Sequence, residues 1–461
     1  MIRRYWRSAV LIGAAGIGCA YFNGLYNANQ LAGDAARAQR EGRPGEARSL
    51  WAQAVVKAES VATRYPKSKY HDDALLLWGK GLAEIGDCNR AVRPLSLAVG
   101  SSADAALQRE ARLVLARCQL AVNRPTAAIA SLDALLDGAD SATTAQVYLL
   151  RGRAELSRGN PAAAVSDFER VPPDVAAFDL ANALLMIGDV AGAKAVLATR
   201  AALEYRETPW LTVLDSLGRR DGEGAAELVD RLVERRDVTP GQRARLFNAD
   251  GVRWERAGRE LRARDRFGAA VAAAPDSADA NLGRAYAGVA RFRELDDLSM
   301  LADVRRELDR PMRAGGPSAQ VVGPTVGVLD VTIQVVAAPE LPNRDAKLFV
   351  LGEMVRDSLR APIPAAALFL FVQREHRESP IAPKALLAAA TLRPELADSL
   401  SGMMASQYPG SPYRLALRGE ASERFASLED SLKTLFAAER LRLRSPLGVG
   451  AGEEELIRRR R

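Results

Sequence analysis

The stretch Gly251-Val-Arg-Trp254-Glu-Arg-Ala-Gly258-Arg-Glu-Leu-Arg-Ala263-Arg-Asp-Arg-Phe267-Gly-Ala-Ala270-Val-Ala-Ala-Ala-Pro275 decides the fold. A small residue inside a helix, here Gly251, lets a second helix approach closely. Gly258 ends the first helix, because only glycine takes the left-handed conformation of a helix C-terminus without a side-chain clash. The next helix then presents Ala263, Phe267 and Ala270 at spacings of four and three, which places them on one face. Pro275 stops that helix, since it has no N–H and clashes with the preceding turn. The stretch therefore predicts two short helices joined by a tight turn and interlocked along one apolar seam.

The same order recurs outward from this copy. Leu75, Gly79, Leu82, Gly86, Ala91, Leu95 and Ala98 follow it, and Ala116, Ala128, Leu132 and Leu135 repeat it. Tyr148, Gly152, Gly159, Ala164, Phe168 and Val171, then Pro172, form another copy, followed by Ala181, Leu184, Gly188, Ala193 and Leu197. The spacing is about 34 residues, the period of a helix-pair array. One such pair cannot bury its apolar face alone, so neighbours stack and share a core. On these residues, 31–310 resembles the tetratricopeptide repeats. The fold class expected is all-α, a tetratricopeptide-type helical-repeat solenoid, with an irregular helical bundle as the alternative.

A second, shorter repeat overlies the first. Val61-Ala-Thr-Arg-Tyr65-Pro-Lys-Ser68-Lys-Tyr70 leads into His71-Asp-Asp-Ala-Leu75, and Val372-Gln-Arg-Glu-His376-Arg-Glu-Ser379-Pro-Ile381 leads into Ala382-Pro-Lys-Ala-Leu386. Met404-Ala-Ser-Gln-Tyr408-Pro-Gly-Ser411-Pro-Tyr413 leads into a third helix. The ring can pack under the turn, and the serine is expected to cap the new helix by accepting a backbone N–H. These turns, with Cys19-Ala-Tyr-Phe-Asn-Gly-Leu-Tyr-Asn-Ala28, resemble periplasmic repeat lipoproteins of the barrel-assembly type, the BamD-like family. Residues 348–444 read as a second helical repeat-like C-terminal domain. Between the blocks, 311–347 carries Gly315, Gly316, Pro317, Gly323, Pro324, Pro339 and Pro342 around a β-branched core, and reads as a linker holding a short strand or extended tether. Residues 445–461, ending in Arg458 to Arg461, read as a disordered basic tail.

The N-terminus supplies an address. Met1-Ile-Arg-Arg-Tyr-Trp-Arg7 is basic, and Ser8 to Gly18 is a short apolar run ending in small residues. This is the order of a signal peptide, and the run is shorter than the roughly 20 residues a spanning helix requires. Cys19 at its end resembles the lipid-accepting cysteine of bacterial lipoproteins, although Gly16 stands where that pattern prefers leucine. The resemblance implies cleavage of 1–18, acylation of Cys19 and a lipidated tether over 19–30. An uncleaved anchor or a plain signal peptide are the alternatives. Ala20 in place of aspartate, by resemblance to proteobacterial sorting, implies the periplasmic face of the outer membrane.

Composition narrows the function class. The formal charge of +7 rests on arginine, with lysine only at 57, 67, 69, 80, 194, 347, 384 and 433, and arginine alternates with acidic residues along the chain. That is a solvated mixed-charge surface, with no stripe for nucleic acid. With Cys19 acylated, Cys88 and Cys118 remain. They fall in adjacent helices of neighbouring repeats, so a disulfide between them or a pair of buried thiols is expected.

No catalytic constellation stands out. His71 and His376 lie in turns without ligand-spaced partners. There is no phosphate-binding Gly-x4-Gly-Lys-Ser/Thr and no Gly-x-Ser-x-Gly elbow. No metal, cofactor or enzymatic role is expected, and the enzyme reading survives only as an unlocated site in 311–461. Binding is the expected activity, on the concave face that first helices line. Candidate groove residues are Lys80, Glu84, Arg112, Gln119, Arg151, Glu155, Asn182, Arg253 and Glu255. The resulting expectation is a lipid-anchored periplasmic scaffold for partner proteins in outer-membrane protein assembly, its partner a barrel-assembly machine or another envelope complex. A related lipoprotein for cell-wall coordination, secretion or polysaccharide export is the alternative.

Overall fold

The computed structural model describes residues 24–136, 140–200, 205–416, 420 and 423–444. Cys19, the 1–18 signal, the first part of the tether and the 445–461 tail lie outside the described residues. Every regular element among the described residues is helical. The chain divides into two compact units, 1–224 and 225–461. The boundary expected at 310/311 lies within the second of these.

The first unit begins with α1 (24–40), α2 (Pro44–Arg64), α3 (His71–Glu84), α4 (Cys88–Ser101), α5 (Ala105–Ala121) and α6 (Pro125–Asp133). It continues through α7 (Ser141–Ser157), α8 (Pro161–Phe168), α9 (Pro173–Ile187), α10 (Val190–Arg200) and α11 (Glu207–Gly218). From α2 to α10 each helix packs on the next, and α3, α5, α7 and α9 also pack on one another in succession. Helix starts are set by local chemistry. The side chains of Asp87, Asp104 and Asp140 accept the first-turn N–H groups of Arg90 (3.2 Å), Ala106 (2.7 Å) and Thr143 (2.7 Å), which would otherwise lack partners. Pro44, Pro125 and Pro161 occupy first-turn positions where a missing N–H costs nothing.

A single rule generates the pairs. Gly42, Gly86, Asn123, Gly159, Gly188, Gly258 and Arg360 have φ between 52° and 88°. Five residues after each stands a buried alanine: Ala47, Ala91, Ala128, Ala164, Ala193, Ala263 and Ala365. Four residues further comes a large buried side chain: Trp51, Leu95, Leu132, Phe168, Leu197, Phe267 and Phe369. Asn123 explains why the copy at Ala128 shows no glycine in the sequence. Arg360 marks a copy in the C-terminal block that sequence reading missed.

The second unit takes in most of α12 (Gly222–Val233), then α13 (Pro240–Arg256), α14 (Glu260–Ala273), α15 (Ala278–Arg293), α16 (Leu301–Glu307), α17 (Asp309–Ala314) and α18 (Gly316–Ala337). It ends with α19 (Arg344–Asp357), α20 (Pro362–Glu375), α21 (Ala382–Leu392), α22 (Ala397–Gln407), α23 (Pro412–Ala416) and α24 (Glu423–Arg444). One apolar cluster runs from Ala285 to Leu443. α24 is held there by more than its apolar face. Lys384 binds the Glu429 carboxylate at 2.5 Å, and Lys347 binds the fully buried Glu439 at 3.0 Å.

The linker expected over 311–347 is corrected by α18, a helix of 22 residues. Its β-branched content suggested a strand, but the buried residues Ser318, Val322, Thr325, Val326, Leu329, Thr332 and Val335 follow helical spacing. That face packs against α15, and tertiary burial overrides local propensity. Ser318 Oγ donates to the Pro311 carbonyl at 2.9 Å, and Arg305 binds Asp330 at 2.6 Å. By length and composition α18 also suffices to cross a bilayer.

The ring-serine turns are three copies of one conformation. Tyr65, His376 and Tyr408 end their helices at φ −129° with ψ of 58°, 51° and 53°. Ser68, Ser379 and Ser411 each return their N–H to that residue's carbonyl. The serine Oγ accepts the N–H two residues on, at 3.3, 3.0 and 3.3 Å. Tyr70 and Ile381 precede α3 and α21, whereas Tyr413 lies in the first turn of α23, so Ser411 caps its helix as expected. Ser68 and Ser379 thus shape the turn before the helix begins.

Candidate functional site

The groove candidates fall where expected along the chain, on α3, α5, α7, α9 and α13. Most are engaged with neighbouring helices. Lys80 of α3 reaches Glu110 of α5 at 2.5 Å. Glu84 accepts from Gln39 of α1 at 3.3 Å and borders a hollow of about 390 Å³ with Arg48 and Trp51. Gln119 is buried and accepts the Ser131 hydroxyl at 3.0 Å. Arg151 joins three helices, bonding Asp167 of α8 at 2.5 and 2.9 Å and Asp133 of α6 at 2.8 Å. The Asp167 hydrogen bonds outweigh burial and push the Arg151 guanidinium above its ordinary range. Glu155 is buried and pairs with Arg158 at 3.1 Å. Arg112 and Asn182 are half-buried.

In the second unit Arg253 pairs with Asp250, a fully buried carboxylate that also meets Arg266 Nε at 2.8 Å. Arg266 continues to Asp230 at 3.0 Å, which raises its pKa. Glu255 pairs with Arg293 of α15. Of these, Arg266–Asp230 and Glu255–Arg293 join helices about one repeat apart. Arg153–Asp179 at 2.9 Å and Arg245–Asp279 at 3.4 Å belong to the same set and were not singled out from the sequence. Opposite charges separated by 26 to 38 residues were the available signal. The first-helix faces are therefore braced by ion pairs, with few of the chosen side chains left as bare surface.

Cys88, the first residue of α4, and Cys118, late in α5, are joined in a disulfide with Cα atoms 4.8 Å apart. Among the described residues no group of His, Cys, Asp or Glu side chains is placed to hold a metal ion.

Residues 5–177 match the family described as tetratricopeptide repeat-like domain. The helix pairs are of the tetratricopeptide type. No curated protein matches the chain. Among solved structures, a tetratricopeptide repeat protein from Parabacteroides merdae is 14% identical with a TM-score of 0.35, over 55% of this chain and 95% of that one. The C-terminal part of a TPR repeat-containing protein from Cytophaga hutchinsonii is 10% identical with a TM-score of 0.33, over 68% and 99%. A Rap protein complexed with competence and sporulation factor is 12% identical with a TM-score of 0.27, over 74% and 100%. At these scores the likeness does not establish a shared overall arrangement.

Proposed function

We propose that this chain is a membrane-tethered docking scaffold for partner proteins at the periplasmic face of the outer membrane, serving outer-membrane protein assembly. The observation that carries the docking role is the run of tetratricopeptide-type pairs braced by ion pairs. Such an array keeps its helices at fixed spacing, so that a partner meets a preformed surface and little ordering entropy is lost on binding. The tether rests on the basic and apolar segment ahead of Cys19. The assembly role rests on the Tyr-Pro-x-Ser turns and on the run from Cys19 to Ala28, which resemble barrel-assembly lipoproteins.

Labelling cells with a fatty-acid analogue tests the tether. The wild-type chain takes up label and fractionates with the outer membrane, and Cys19→Ala abolishes both. Equal labelling of Cys19→Ala removes the anchor from this reading.

A further inference from the structure

Across the repeats, the third residue after the large seam side chain is apolar and buried: Ala54, Ala98, Leu135, Val171, Ala270 and Val372. After Leu197 that place holds Arg200, which is only 5% exposed. Its guanidinium lies over the Phe178 ring, 5.4 Å from the centroid, and Phe178 in turn meets Trp210 edge-on at 5.2 Å. Beside it is a hollow of about 390 Å³ between α8, α9 and α10. Its walls are Phe168, Val171, Ala177, Leu180 and Val196, with Arg200 among them. The volume falls in the range of small-ligand sites, which runs from about 300 to 1,000 Å³. It exists because α9 and α10 present alanines (Ala176, Ala177 and Ala195) where larger side chains would fill the space.

We infer that this hollow is a binding site for an aliphatic carboxylate, a fatty-acid-like chain whose anionic end meets Arg200. This goes beyond partner docking and does not depend on it. The walls decide between ligand classes. Among the described residues of the lining, the polar side chains apart from Arg200 are Glu169 and Thr199, both exposed. A peptide lodged there would bury amide groups without partners, at a cost of roughly 2–7 kcal/mol each. A saturated chain has no such groups and gains from every methylene removed from water. A guanidinium carries five N–H donors in one plane and takes a carboxylate in a paired geometry, even when it serves another acceptor. A charge-assisted hydrogen bond from the guanidinium to a carboxylate is about twice as strong as one between neutral groups, which favours the carboxylate over a neutral head.

Titration calorimetry of the full chain with decanoate tests the assignment. One site per chain is expected, with Kd about micromolar, and decanol binding about tenfold weaker or worse. Ala177→Trp and Val196→Trp, which fill the hollow from two helices, are each expected to abolish binding while the thermal melt stays cooperative. Arg200→Gln is expected to bring decanoate down to the level of decanol. Absence of saturable binding by the wild type, undiminished binding in both filled variants, or equal affinity for decanoate and decanol overturns the proposal. Displacement of decanoate by a peptide with an apolar C-terminus at equal or lower concentration also overturns it, in favour of a peptide site.

Discussion

The Phe168 ring rests against the backbone of Gly152, where a Cβ would lie 2.5 Å from ring carbon Cε1. Gly251 meets Phe267 in the same way, Gly79 meets Leu95, and Gly352 meets Phe369. The partner follows its glycine by 16 residues in the first three pairs and by 17 in the last. This close approach lets the two helices of a pair interlock, and it makes the glycine a packing requirement.

Gly152→Ala therefore sets two effects against each other. Alanine gains about 1 kcal/mol in helix propensity, while overpacking costs typically about 1–3 kcal/mol. The second wins, and the thermal midpoint is expected to fall. Gly268→Ala in α14, where a Cβ meets nothing within 4 Å, keeps only the first effect and is expected to raise it. Melts of the two variants beside the wild type check both signs.

Arg151→Met is expected to destabilise the first unit by about 3–5 kcal/mol, because Asp167, only 2% exposed, loses its main partner inside the protein. The double variant Arg151→Met with Asp167→Leu is expected to recover most of that loss. Urea unfolding of the two single variants and the pair measures the coupling.

These interactions show how far the sequence could be read. Gly152, Phe168, Gly251 and Phe267 were legible, because the seam needs fixed residue types at fixed spacing. The copy at Gly352 was not, since Arg360 takes the left-handed place and one extra residue separates Gly352 from Ala365. α18 was hidden by its β-branched residues, which tertiary burial turns into a helix face. The groove candidates lie on α3, α5, α7, α9 and α13, but each charge was read alone. Their partners lie on other helices, within the same pair for Arg151 and Asp167 and about one repeat away for Glu255 and Arg293. Arg200 escaped notice because a buried arginine in an apolar register is visible only once the copies are aligned.

Glu439 makes the second unit sensitive to acid. Burial alone would raise its carboxyl, but hydrogen bonds from Asn343 and Lys347 and the charges of Lys347 and Arg442 outweigh that and hold it below the ordinary range. A depressed folded-state pKa gives stability that is present above the unfolded value of about 4.3 and is lost as pH falls through the folded value. Glu439→Gln is expected to cost about 3 kcal/mol at neutral pH and to flatten the acid limb of the stability profile. Chemical unfolding from neutral pH down to pH about 3 reads both effects, and an unchanged acid limb contradicts the assignment.

The Cys88–Cys118 disulfide closes a loop with a sequence separation of 30. Chain-entropy reasoning gives about 3–4 kcal/mol for a loop of that size. Adding reductant is expected to lower the wild-type melting midpoint and to leave Cys88→Ala/Cys118→Ala unmoved. Equal midpoints for the wild type with and without reductant contradict a stabilising bond.

Affinity capture of the tagged full chain from solubilised envelopes, with bound proteins identified by mass spectrometry, tests the docking claim most directly. The account predicts that the wild type retrieves the barrel-insertion protein of the outer membrane, and that Arg151→Met, which loosens the braced pairs, retrieves less of it. Retrieval of wall-synthesis or export proteins alone, with the barrel-insertion protein absent, contradicts the account.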